Sequence, residues 1–215
     1  MILNVRGGLG MQILETFSGL EKYGVNNIKE VHINVGNLGD KNFLKQNYLP
    51  FLFSHLFSSL KIKTKIVEGT AKQNSFTVEG FRLARQFVLN NQKFLPLYGV
   101  KHGVKYLHVR KLDRQLVSDE TYDKIYNSHR VLRKIDTSGD PIEDWRTLLN
   151  ADYIIGAPST FTLSTLLFNG NKRISVIPES MCDGPAKMAS EHFQVIQNIM
   201  SIFPNLRWYK NDSIC

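Results

Sequence analysis

Apolar residues along the chain recur at two different spacings. Ile2-Leu3-Asn4-Val5 has the make-up of a short buried strand, and the cluster Gly7-Gly8-Leu9-Gly10 follows it at once. Beyond the glycines, Ile13, Leu14, Phe17 and Leu20 repeat with helical periodicity. The unit is therefore strand, glycine turn, helix. Val31-His32-Ile33-Asn34-Val35 alternates and predicts the next strand, closed by Gly36. Residues 43–60 are rich in Phe and Leu and predict helix on both sides of a break at Pro50. Short strands are expected at Ile62 to Val67 and Phe76 to Val78, and a helix at Phe81 to Leu89.

The second half repeats the alternation from Gly99 onward. Val104 to Val109 predicts a strand, and Ser118 a helix cap, followed by Asp119 and Glu120 in the turn where the helix dipole favours acids. Asp140-Pro141-Ile142-Glu143 combines a capping carboxylate, a first-turn proline and an acid at the third position, so a helix is expected to start there. Tyr153 to Gly156 predicts a strand, Thr160 to Phe168 a helix, and Ile174 to Ile177 a strand ended by Pro178. A long helix over 186–203 and a last strand at Leu206 to Tyr209 complete the reading.

Strands alternating with helices predict an α/β protein built on mostly parallel sheets. The least regular joint is Asn90 to Lys101, so two Rossmann-like halves are expected, 1–98 and 99–215. The alternative is one continuous sheet.

Composition narrows the function classes. The chain has 215 residues, 42% hydrophobic and 21% charged, which excludes disordered and low-complexity classes. The net charge of +8 favours an anionic partner without choosing among nucleic acid, lipid and phosphorylated small molecules. Cys182 and Cys215 are too few and too far apart for a disulfide scaffold or zinc ribbon. Neither an export signal nor an eighteen-residue apolar run is visible, so a cytoplasmic protein without a membrane span is expected. No Asp-x-Asp site or cluster of metal ligands stands out, and no metal or cofactor is expected.

Three loops fall where parallel sheets bind ligands, at strand carboxyl ends. The first is Arg6 to Gln12. Its glycines let backbone amides approach an anion at a helix start. It lacks the Lys-Ser/Thr of a P-loop, and Ile13 stands where a dinucleotide fingerprint has its third glycine. A ligand-free tight turn explains the glycines equally well. The second is His108-Val109-Arg110-Lys111-Leu112-Asp113-Arg114. His108 and Arg110 share one side of a strand end, and an Arg fork suits a phosphate. Residues 101–134 hold nine Lys and Arg against four Asp and Glu. An isolated pair of this kind is more often a solvated basic face. The third is Asp152 to Thr162, a strand ending in small residues before Ser159 and Thr160, which either hold a phosphate or cap their own helix.

In this order the loops resemble a family. Gly7-Gly8-Leu9-Gly10-x-Gln12 is similar to the GGLGNQ signature of alpha-1,2-fucosyltransferases and their O-fucosyltransferase and nodulation-fucosyltransferase relatives. His108-Val109-Arg110-Lys111-x-Asp113 is similar to their HVRRGD motif. Ser118 to Tyr122 resembles the segment before a Tyr-Tyr-containing helix, and Asp152 to Thr162 a strand leading into Ser-Ser-Phe-Ser. Met11 and Leu112 depart from the pattern, and Leu163 and Ser164 stand where the alpha-1,2 enzymes have tryptophans.

The resemblance implies a GT-B-type fold with a nucleotide sugar in the cleft, GDP-fucose as donor, and inverting, metal-independent transfer to a hydroxyl of a glycan or other acceptor. By that resemblance Arg110 holds the pyrophosphate and His108 shapes the same site. Ser159, Thr160 and Phe161 contact phosphate, Asp152 is a candidate contact for base or ribose, and Gly8, Gly10 and Gln12 line the cleft. No general base is assigned. The alternatives are a noncatalytic nucleotide-binding protein on this fold and a nucleic-acid-binding domain. The last is disfavoured because Phe51, Phe53 and Phe57 are spaced for a core; no nucleic-acid partner is expected.

Overall fold

The computed structural model describes residues 1–6, 8–35, 46–69, 76–95, 101–110, 115–129, 131–136, 140–168 and 172–211. Among them are seven α-helices and eight strands, arranged in an α/β pattern. The chain divides into two compact units, Met1–Tyr98 and Gly99–Cys215. Every strand pair in the two sheets is parallel.

The first unit holds a three-stranded sheet in the order β1 (Ile2–Arg6), β2 (Glu30–Asn34), β3 (Lys63–Val67). Gly8 has φ of 88°, a left-handed value that L side chains rarely adopt, and this lets the chain turn directly from β1 into α1 (Leu9–Tyr23). Gly19 brings α1 close to the strand, since a Cβ there would lie 2.7 Å from both methyls of Leu3. Phe17 of α1 meets Phe53 of α2 (Leu49–Leu60) at 5.1 Å and Phe87 of α3 (Val78–Asn90) at 5.0 Å between ring centroids. Three helices thus converge on one aromatic centre.

Several expectations change here. Pro50 sits in the first turn of α2, where its missing N–H costs nothing, so it opens the helix instead of interrupting it; the non-helical residue is Phe53. Thr77 is the N-cap of α3, accepting from the Gly80 N–H at 3.0 Å, so Phe76 to Val78 is a helix start and not a strand. Phe53 and Phe57 are buried, but Phe51 points outward and is 70% exposed. Gly36 lies outside the described residues.

The second unit holds five strands in the order β5 (Arg133–Asp136), β4 (Lys101–Val109), β6 (Ala151–Gly156), β7 (Arg173–Val176), β8 (Leu206–Trp208). This is the 2-1-3-4-5 order of one type of doubly wound sheet. With this strand order, the right-handed crossover rule assigns α4 (Asp119–Ser128) to one face and α5 (Pro141–Leu149), α6 (Thr160–Leu163) and α7 (Ser190–Ile199) to the other. The core follows this division. Leu107, Val109, Tyr153 and Ile155 pack with Tyr122 and Ile125 of α4. On the other face the buried Trp145 of α5 donates to the Ser164 hydroxyl at 2.9 Å.

Ser118 and Asp140 cap α4 and α5 as their sequence positions predict. The expected helix over 160–168 is instead α6 followed by a 3-10 turn, and the long helix over 186–203 is confined to α7. Strand β5 had no clear sequence signal. Lys172 is buried, and its ammonium donates to the carbonyls of Leu148 and Leu149 at the end of α5; burial pulls its pKa down to about 7. Among the described residues, no helix is long and apolar enough to cross a membrane.

Candidate functional site

In the second unit the chain leaves β4 for α4 on one face and leaves β6 for α6 on the other. The carboxyl ends of these neighbouring strands therefore form the topological switch point, where open α/β sheets leave a crevice. The register pairs His108 directly with Gly156 at that end. Arg110 lies one residue beyond β4, and Ser159 to Phe161 lie three to five residues beyond β6.

His108 is buried and held on two sides. Its ring stacks on Phe161 with centroids 5.4 Å apart, and Nδ1 lies 3.1 Å from the Thr162 hydroxyl. That hydroxyl is 3.4 Å from Ser159 Oγ, which also accepts from the Thr162 N–H at 3.4 Å. Ser159 is thus the N-cap of α6 and is buried. Gly156 allows this approach, because a Cβ there would lie 3.2 Å from the Thr162 side chain and 3.6 Å from His108 Cβ. Thr160 and Phe161 are partly exposed at the first turn of α6. Since α6 has only four residues, its local N–H groups matter here more than any summed helix dipole.

On the α4 face, the Arg110 N–H donates to the Tyr122 hydroxyl at 3.3 Å. Burial pushes the Tyr122 pKa up to about 12, so the phenol stays protonated as it anchors the start of the basic loop. Lys111, Leu112, Asp113 and Arg114 lie outside the described residues.

The chain re-enters at Gln115 and is braced by the segment after β7. Gly184 N–H donates to the Leu116 carbonyl at 2.9 Å, and Ala186 N–H to that of Gln115 at 3.0 Å. The Asp183 carboxylate accepts from the Ser118 N–H at 2.9 Å, and from the Ser118 and Thr121 hydroxyls at 2.8 Å each. These donors, the Ser118 amide first, hold the Asp183 pKa down at about 2. A lowered folded-state pKa contributes stability above the unfolded value near 4, and this is lost as pH falls through about 2. Urea unfolding from pH 6 to pH 3 is expected to show the onset of this loss, with the remainder falling below pH 3, and Asp183→Asn to flatten that part of the profile.

Other sequence-selected residues have different surroundings. Gln12 is fully buried in the first unit. Its Nε2 donates to the Gln46 carbonyl at 2.6 Å, and its Oε1 accepts from the Tyr48 N–H at 3.1 Å. It fastens residues 46–48 to α1, which is a positioning role in place of the ligand contact expected. Gly10 is buried in the first turn of α1, while a Cβ on Gly8 would meet nothing within 4 Å. Gly7 lies outside the described residues. Asp152 stands near the amino end of β6, four residues and about 13 Å of strand before Gly156. It faces Arg173 at 3.9 Å, so it is placed away from the crevice.

Gly156 and Thr162 fall within the third loop and Tyr122 within the Ser118 motif, but the sequence assigns none of them a role in the site. Gly156 had a usable signal, a glycine at a strand end one turn before a hydroxyl-bearing helix start. Cys182 is half-buried, and burial pushes its thiol up to about 11, far from a reactive thiolate. Among the described residues, no group of three or more His, Cys, Asp or Glu gathers to hold a metal ion. Comparison with family models, curated proteins and solved structures finds no match to this chain.

Proposed function

We propose that this protein binds the diphosphate of a nucleotide sugar at the β4–β6 crevice and acts as a glycosyltransferase of the fucosyltransferase type. The donor proposed is GDP-fucose and the acceptor a hydroxyl. The two units would correspond to the halves of a GT-B enzyme. The observation that carries the reading is the pairing of His108 with Gly156 at the switch point, which brings Arg110 and the first turn of α6 to adjacent strand ends. In this reading Arg110 neutralises charge on the leaving diphosphate, the N–H groups of Thr160 and Phe161 supply further donors, and His108 supports that turn from beneath through Phe161 and Thr162. Fixed donors of this kind stabilise developing phosphate charge without reorganising as the bond breaks.

Binding without transfer is the second reading. It is favoured because the groups gathered at the crevice, the Arg110 strand end and the first turn of α6, suit a diphosphate, while no general base is assigned among them.

GDP and GDP-fucose are expected to raise the melting temperature, by an amount that grows with ligand concentration. A labelled-donor product assay separates transfer from binding alone. A folded protein that responds to no nucleoside diphosphate or nucleotide sugar would refute both readings.

A further inference from the structure

In the three-stranded sheet of the first unit, β3 has one side unpaired among the described residues. The ladder to β2 shows which backbone groups face that side. The Lys63 N–H donates to the Lys29 carbonyl at 3.0 Å, and the Val67 carbonyl accepts from the Val35 N–H at 3.2 Å. Alternate residues of a parallel strand bond to the same neighbour, so Lys63, Lys65 and Val67 direct their amides and carbonyls to β2, and those of Thr64 and Ile66 point to the open side. The opposite edge, β1, is partly closed, because its Arg6 N–H is taken by the Glu15 carboxylate at 2.6 Å.

Side chains alternate as well. Leu3 and Val31 are buried on the helix side, and the register places Thr64 and Ile66 on that face and Lys63 and Lys65 on the other. The two lysines stand two residues apart, about 6.6 Å along the strand. Ile66 is 44% exposed at the rim. Glu30 lies opposite Lys63 in the register, yet its carboxylate turns to His32 at 2.7 Å and to Lys65 at 3.1 Å. Lys63 is exposed, and among the described residues no carboxylate lies within ion-pair distance of it.

We propose that β3 is a docking edge for an extended acidic peptide of a partner protein, which adds a strand to the sheet and sets a carboxylate at every second position against Lys63 and Lys65. Three features select this occupant. The outward amides and carbonyls of Thr64 and Ile66 match the backbone of another strand, and such main-chain bonds supply affinity in strand addition. The strand period brings every second peptide side chain to the lysine face, so acids alternate with apolar residues that cover Ile66. A second copy of β3 is repelled, because lysine would meet lysine across the new pair. The strand carries no aromatic ring on which a nucleic-acid base could stack.

The test is fluorescence anisotropy of the full chain with a labelled peptide that alternates Glu and Val, against a block peptide of the same composition, polyglutamate and single-stranded DNA. The native protein is expected to bind the alternating peptide about tenfold more tightly than the block peptide or polyglutamate. The double variant Lys63→Glu, Lys65→Glu is expected to lose that binding and to accept an alternating Lys-Val peptide instead. Ile66→Pro removes an amide that faces away from β2, so the sheet is expected to keep a cooperative urea transition while peptide affinity falls about tenfold. Should Ile66→Pro unfold, the exchanged preference of the lysine variant decides. Equal affinity for alternating and block peptides, single-stranded DNA bound as tightly as the peptide, a preference unaltered in the lysine variant, or undiminished binding by folded Ile66→Pro would overturn the proposal. No binding of the alternating peptide would also overturn it, and would leave Lys63 and Lys65 as guards against edge-to-edge association.

Discussion

Arg110→Ala is expected to remove most of the thermal stabilisation conferred by GDP and to slow sugar transfer by about 10²–10³-fold. The loss follows from where the side chain starts. Arg110 is the first residue past β4, and its backbone is pinned by the protonated Tyr122 hydroxyl, so the guanidinium begins from a fixed point. Its planar fork can donate two parallel hydrogen bonds to a phosphate, which a lysine cannot copy. Arg110→Lys is therefore expected to recover only part of the effect. The measurement is melting temperature against GDP concentration, together with initial rates from labelled donor. A full GDP response in Arg110→Ala would remove this residue from the site.

The second large effect concerns Gly184. A Cβ there would lie 2.3 Å from the Gln115 carbonyl oxygen, 2.6 Å from the Leu116 carbonyl carbon and 2.8 Å from the Val117 nitrogen. All three are backbone atoms, so no side chain can rotate away. Relief requires the strap after β7 to lift from residues 115–117, breaking the bonds from Gly184 to Leu116 and from Ala186 to Gln115. Gly184→Ala is expected to cost about 3 kcal/mol, the upper end for overpacking, with the urea midpoint lowered and the slope unchanged. A loss under about 0.5 kcal/mol would show that the strap yields without resistance.

Much of the architecture was legible because local signals agreed with the global pattern. The strand-glycine-helix start at Ile2 to Leu20, the Ser118 cap and the Asp140-Pro141 start each combine a periodicity with a specific terminus chemistry. Where a single signal had two physical meanings, the reading went astray. Pro50 is compatible with both a break and a first turn, and only the burial of Leu49, Leu52 and Phe53 decides for the turn. The short edge strand β5 carries Arg133 and Lys134, and such charges on an edge disguise a strand.

The site was legible to the level of loops and less so to the level of side chains. The strand ends carrying His108 and Arg110 follow from alternation and chain order. The role of Gln12 does not, because its partners are backbone groups 34 and 36 residues away, which no local pattern records. Asp152 was drawn in by a motif that spans a whole strand, and a strand separates its two ends by its own length. Gly184 and Asp183 gave no signal because their partners lie more than sixty residues earlier.

The stretch after β7 has two employments within a few residues. Met181 and Cys182 donate their N–H groups back to the Pro178 and Glu179 carbonyls, while Asp183 to Ala186 grip residues 115–121. A loss of affinity at Arg110 caused by a substitution at Asp183 or Gly184 would therefore arise second-hand, without either residue touching the ligand, and by reciprocity that ligand would strengthen the strap's hold on Leu116 by the same factor.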